Sequence, residues 1–284
     1  MGTVGTAGTA GAVSSAQAPW RPFLAEVGAL AGVGVLGLAA TAYLALRTSP
    51  GQRLDHAAAD AVSSPAVVLQ RLYDGLSWVS VGSVALSLLI CVLLALMRRR
   101  WDLALGAVVV IAGANLTTQI LKFDLLPGAN VGPGVNTLPS GHETVALSIA
   151  LAAVIVAPPV WRPTVSIGLS AMATLVGVAL VLGRYHRPSD VIAATFVCLV
   201  WAAAGLLTAA LVRHRPLAPQ HAVTIHAGAL IGASVVGGLL VSWGVRPEPG
   251  LRDLGLGILS LGSIGLACAI SVAAVDYVAD RHLG

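Results

Sequence analysis

Asn136-Thr137-Leu138-Pro139-Ser140-Gly141-His142-Glu143-Thr144-Val145-Ala146-Leu147-Ser148 joins a compact polar turn to an apolar run. Pro139 to Gly141 carry the turn signal, and the run behind them reads as a helix. The stretch therefore sets backbone N–H groups and an imidazole at a helix start. A second polar cluster, Arg184-Tyr185-His186-Arg187-Pro188-Ser189-Asp190, lies between two later apolar runs.

The composition says what surrounds these clusters. Of 284 residues, 57% are hydrophobic and 10% charged. Soluble domains carry about 25% charged residues, so the chain reads as an integral membrane protein, an all-α polytopic helix bundle. The net charge of +4 is small; it reports loop topology, and nucleic acid is not an expected partner. Cys91, Cys198 and Cys268 each fall within an apolar run with no metal-ligand spacing, and read as small buried hydrophobes. No metal or cofactor is expected.

A spanning helix needs about 20 apolar residues, and the chain offers eight such spans. Residues 1–21 are expected to be a disordered tail, 22–212 a six-helix core, and 213–284 an additional pair of spans. The first span covers Phe23 to Leu46, with Gly34 and Gly37 as candidate close-packing positions. The polar connection that follows, through Asp55 and Asp60, suits a short helix lying along the interface. The next spans cover Leu76–Met97, Leu103–Leu121, Glu143–Ala157, Val165–Gly183 and Val191–Val212. The last two cover Ile225–Val245 and Leu254–Val278.

Span three carries Asn115, Thr117, Thr118 and Gln119, and polar groups inside a span point to a bundle interior or a water-filled cavity. Basic residues are equally numerous on the two sides of this topology. The dense clusters beside span ends, Arg98 to Arg100 above all, favour both termini inside. The loops after spans three and five lie two crossings apart and so share a face. The favoured orientation makes it the outer face of what composition suggests is a bacterial plasma membrane.

Three polar sets meet on that face: Lys122, the Ser140-Gly141-His142 turn, and Arg184 to Asp190. Lys122 supplies a compact positive charge. Ser140, Gly141 and the following amides form a helix N-terminus that favours an anion. His142 is an acid or base tunable near neutrality. His186 stands four residues before Asp190, which is expected near the N-cap of a helix opening at Val191. A carboxylate there can fix the tautomer of the imidazole. Arg184 is a candidate clamp for phosphoryl oxygens. Taken alone, these residues leave open which histidine is the nucleophile. Glu143 reads as a first-turn carboxylate.

Lys122, Leu138-Pro139-Ser140-Gly141-His142 and His186-Arg187-Pro188-Ser189-Asp190, in this order and at these span ends, resemble the type 2 phosphatidic acid phosphatase family, the lipid phosphate phosphatases. That family lies within the acid phosphatase and vanadium haloperoxidase superfamily. The resemblance covers about residues 75–212. It implies a metal-independent, two-step hydrolysis of a lipid phosphate or diphosphate, of phosphatidic acid or polyprenyl type. By the resemblance His186 attacks phosphorus to give a phosphohistidine and Asp190 orients it. His142 protonates the leaving group and then activates water, while Lys122, Ser140 and Gly141 hold phosphoryl oxygens. Two arginines of the family pattern are replaced: Ala129-Asn130 stand where the first motif has Arg-Pro, and Leu180 where the third has Arg. Those departures define the alternative, a non-catalytic relative that binds phosphorylated lipid or assists transport or assembly.

Overall fold

A computed structural model describes residues 20–62, 70, 74, 81–126, 136–214 and 251–284. Its elements are all helical: α1 (Trp20–Arg47), α2 (Ser49–Asp60), α3 (Val81–Met97), α4 (Trp101–Ile120), α5 (Gly141–Val156), α6 (Arg162–Leu182), α7 (Pro188–Val212) and α8 (Leu251–His282). Among the described residues five helices are long and apolar enough to cross a membrane: α1, α4 with its extension to Leu125, α6, α7 and α8 from Gly255. α3 and α5 are shorter apolar helices. The expected seventh span, Ile225–Val245, lies outside the described residues, as do residues 1–19 of the expected tail. Trp20 and Arg21, placed in that tail from sequence, already belong to α1; Trp20 packs edge-on against Phe23.

α7 is the central column. It packs against α1, α4, α5 and α8, and small residues set its distances. A Cβ on Gly37 would meet the Phe196 ring at 2.4 Å, and one on Gly34 the Phe196 carbonyl at 3.0 Å. Gly34 and Gly37 thus seat α1 on α7, whereas a Cβ on Gly28 or Gly32 would meet nothing within 4 Å. Where α4 crosses α7, Gly106 and Gly205 let the two backbones touch. Lipid gives helices no hydrophobic reason to associate, so such close approach carries the packing.

Asn115, Thr117 and Thr118 of α4 face the bundle interior, each with a partner, whereas Gln119 near the end of the helix is exposed. Asn115 donates to Ser148 Oγ at 3.2 Å, Thr118 and Thr144 share a hydrogen bond at 2.9 Å, and Trp201 Nε1 donates to Thr117 at 2.9 Å. α4 closes with a π-helical turn, Leu121–Leu125, which carries Lys122.

α8, expected as part of an added C-terminal pair, packs against α5, α6 and α7. α6 and α8 run antiparallel with matched four-residue ridges. Arg162, 1% exposed, donates to Asp280 at 3.0 Å, and Ser166 donates to Asp276 at 3.1 Å. Further along, Gly177 lies against Ile264. His282, expected in a loop or at the interface, is buried on the Phe23 ring, with Nε2 3.1 Å from Glu26. Arg98, Arg100, Arg162, Arg213 and Arg281 gather at this end of the bundle, where Arg100 and Arg213 donate to the carbonyl of Leu283. The polar turns before α5 and α7 lie at the opposite end.

α2 caps that opposite end. Thr48 accepts from the Gly51 amide at 3.1 Å, and Pro50 sits in the first turn, where a missing N–H costs nothing. Gly51 is obligatory at this corner, since a Cβ would lie 2.2 Å from the Leu44 carbonyl. α2 is the short helix expected between spans one and two, and it rests on the starts of α7 and α8.

Candidate active site

The two clusters meet through the backbone. The Ser140 amide donates to the Asp190 carbonyl at 3.0 Å, tying the entry of α5 to the first turn of α7. Ser140 is the N-cap of α5, its hydroxyl accepting from the Glu143 amide at 3.4 Å. Ser140 and Glu143 have capping-box spacing, but the Glu143 side chain does not reach back. It turns inward and accepts from Cys268 Sγ at 3.3 Å, because the Ser140 amide is already taken by Asp190. Cys198, likewise buried, donates to the Thr144 carbonyl at 3.5 Å.

Asp190 sits at the third position of α7, because the helix begins at Pro188 rather than Val191. Its Oδ2 gathers three groups: His186 Nδ1 at 3.0 Å, the Thr137 hydroxyl at 2.5 Å and the Arg187 amide at 3.1 Å. A carboxylate accepts and does not donate, so Nδ1 carries a proton, and in the neutral imidazole Nε2 then keeps its lone pair. The His186 and Asp190 side chains are only 8% and 3% exposed. The imidazole is thus fixed in place and in tautomer.

The two helix starts differ in their free donors. In α7 Pro188 has no N–H, the Ser189 amide donates to Asp55 at 3.0 Å and the Asp190 amide to the Arg187 carbonyl at 3.1 Å. That end is closed. In α5, among the described residues, the Gly141 and His142 amides carry no hydrogen bond. A Cβ on Gly141 would meet nothing within 4 Å among the described residues, so no described side chain crowds the turn beside Gly141. A helix start with free amides accepts an anion.

His142 is exposed at this mouth, just outside the apolar run. Partial burial, then the positive charges of His186 and Lys122, hold its pKa below the ordinary imidazole value. Lys122 is half-buried, with Nζ 5.9 Å from the Phe123 ring centre. His142 thus lies within electrostatic reach of both His186 and Lys122.

Arg184 lies at the rim. It takes a left-handed φ of 58° just past the end of α6. The Arg184 amide donates to the Val181 carbonyl and the Tyr185 amide to that of Leu180. This is a Schellman closure in which glycine is the usual residue. The guanidinium donates to Asp60 at 2.7 Å with both side chains more than half exposed. Leu180 is buried in the core.

Two contributors carry no clear sequence signal of their role. Thr137 stands five residues before His142 in a turn whose side-chain directions sequence does not give. Asp55 comes from α2, 134 positions from its partner Ser189. Burial raises the Asp55 pKa, while its hydrogen bonds from Ser189 oppose the shift.

Fold and site together define a membrane-embedded helical bundle with a histidine–carboxylate pair beside an anion-accepting helix start. Residues 127–215 match the model of the PAP2 superfamily, the superfamily to which the motifs around His142 and His186 point, and one whose chemistry is phosphatase action on phosphorylated substrates. No curated protein matches the chain, and no solved structure does.

Proposed function

We propose that the protein is an integral membrane phosphatase that hydrolyses a lipid phosphate or diphosphate through a phosphohistidine. The observation that carries this reading is the fixed His186 imidazole, Nδ1 on Asp190, beside the Gly141 and His142 amides, which carry no hydrogen bond among the described residues. His186 Nε2 attacks phosphorus while the α5 amides and Lys122 hold the phosphoryl oxygens, stabilising charge where it develops. His142 gives a proton to the leaving oxygen. It then takes one from the water that cleaves the P–N bond, which frees inorganic phosphate and restores His186. A lipid substrate fits a site at the end of a bundle whose outer helices present apolar side chains such as Leu36, Leu89 and Leu259. The gathering of arginines at the opposite end supports an outward-facing site under the positive-inside rule.

A second reading, a non-catalytic relative that binds phosphorylated lipid, draws on the buried Leu180 and on the pairing of Arg184 with Asp60. One experiment separates the two. Purified protein is supplied with a panel of labelled lipid phosphates and diphosphates, and released phosphate and acid-labile label on the protein are measured. The enzyme reading expects release and label on wild type and neither on His186→Ala. Equal release from both, across the panel, removes it.

A further inference from the structure

α2 lies outside the 127–215 segment that matches the superfamily, yet it reaches the core of the site. Asp55 is 9% exposed and accepts twice from one residue: the Ser189 amide at 3.0 Å and the Ser189 hydroxyl at 2.6 Å. Ser189 immediately precedes Asp190 and follows His186 by three. The Asp55 carboxylate satisfies an orphan amide at the start of α7, where the helix dipole also favours an anion. With Pro188 lacking an N–H, Asp55 is what completes the first turn of α7. Asp190 then faces His186 from a helix end whose donors are all engaged.

We propose that Asp55 is a positioning residue for the reaction: it locks Ser189, and through that turn the Asp190–His186 pair, from a helix outside the superfamily segment. The inference rests on the phosphatase reading above for its kinetic consequence, but the lock itself is a property of the chain alone. Asp55 touches neither imidazole. It acts by holding the turn between them and the bundle, as partners behind a catalytic group do, where loss costs about 10–100-fold. It contributes to kcat through geometry and leaves substrate binding at α5 unaltered.

Three variants test this in full-length protein: Asp55→Ala, Asp55→Asn and the double variant Asp55→Ala/Ser189→Ala. Asparagine keeps both bonds, its oxygen accepting the amide and its NH2 donating to the hydroxyl; alanine removes both. Expected is a fall in kcat of about 10–100-fold for Asp55→Ala with KM changed less than about threefold. Asp55→Asn recovers most of it, and Asp55→Ala/Ser189→Ala is no worse than Asp55→Ala alone. Hydrogen exchange of the segment from Arg187 to Thr195 reads the lock without any activity. Asp55→Ala speeds exchange of the Ser189 amide, and Asp55→Asn does not. Unchanged exchange overturns the proposal whether or not phosphate is released. So does a fall in kcat shared equally by Asp55→Asn. Loss of wild-type release relative to His186→Ala strikes the phosphatase reading instead, and the exchange result still decides the lock.

Discussion

The Ser140 amide donates to the Asp190 carbonyl at 3.0 Å. Because this bond joins two main chains, no side-chain substitution at either position removes it, except proline at position 140, which has no N–H. The entry of α5 and the first turn of α7 therefore remain registered when the chemistry of the site is altered. Variants of the side chains report on function more than on fold.

Asp190→Asn tests the tautomer argument directly. The amide can offer its NH2 to His186 Nδ1 and so favour the wrong ring proton. We expect kcat to fall by about 10³-fold or more, in line with the cost of a wrong tautomer in a histidine–carboxylate pair. The protein should remain folded, as judged by its thermal midpoint in micelles. Activity within tenfold of wild type would show that Asp190 does not set the tautomer.

Thr137 makes a more selective prediction. Its hydroxyl is one of three donors to Asp190 Oδ2. Thr137→Val removes the donor at nearly constant shape and should cost about tenfold or more in kcat, whereas Thr137→Ser should keep most of it. Equal losses in the two variants would point to packing of the methyl group.

In the proposed role of Arg184 as a phosphate clamp, Asp60 would compete with substrate for its guanidinium. The pair is exposed, so its own contribution to stability is at most about 1 kcal/mol. Asp60→Ala should leave folding intact and lower KM, or tighten inhibition by inorganic phosphate, by freeing the guanidinium. Arg184→Ala should raise KM, and in that background Asp60→Ala should do nothing further. An unchanged KM in both single variants would remove Arg184 from the substrate-binding set.

The pH dependence follows from His142. Its pKa is held down by partial burial and by the charges of His186 and Lys122. In the proposed role as the acid that protonates the leaving group, it must carry a proton in the free enzyme. The kcat/KM profile therefore falls as pH rises through a midpoint below that of free imidazole. Lys122→Gln removes one depressing charge and should move that midpoint upward on the same substrate. A midpoint that stays put, whatever the change in rate, would separate Lys122 from His142.

At the other end of the bundle the Arg162–Asp280 pair makes a prediction about stability. Arg162 is almost wholly buried and also donates to the carbonyls of Val154 and Ala157. Asp280→Ala strands the guanidinium. Asp280 is about one-third exposed, so the loss should fall toward the lower end of the roughly 3–5 kcal/mol seen when a buried pair is broken. Arg162→Met in the same chain should restore part of it. Thermal denaturation in micelles measures both.

Much of this was legible in the residues. The apolar runs define the helices because a segment in lipid must satisfy its own backbone, and their order places His142, His186 and Lys122 at one end. The pairing of His186 with Asp190 follows from four-residue spacing at a helix start. The polar set of α4 announced an interior face. What spacing could not give was direction. Glu143 has the right position for a capping box, but its side chain goes to Cys268, because Asp190 from another helix occupies the Ser140 amide. Arg184 looked free to bind phosphate and is held by Asp60, which stands 124 positions away.

By itself, then, the sequence determined a helical membrane bundle and the proton-handling pair within it, since both depend on local periodicity and short spacing. Only the tertiary structure decided that Thr137 closes on the carboxylate of that pair and Asp55 on the adjoining Ser189, that among the described residues α5 rather than α7 keeps first-turn amides without a hydrogen bond, and that α8 packs inside the bundle. Each of those is a contact between distant segments, and which distant groups meet is fixed by how helix faces pack, which no local pattern encodes.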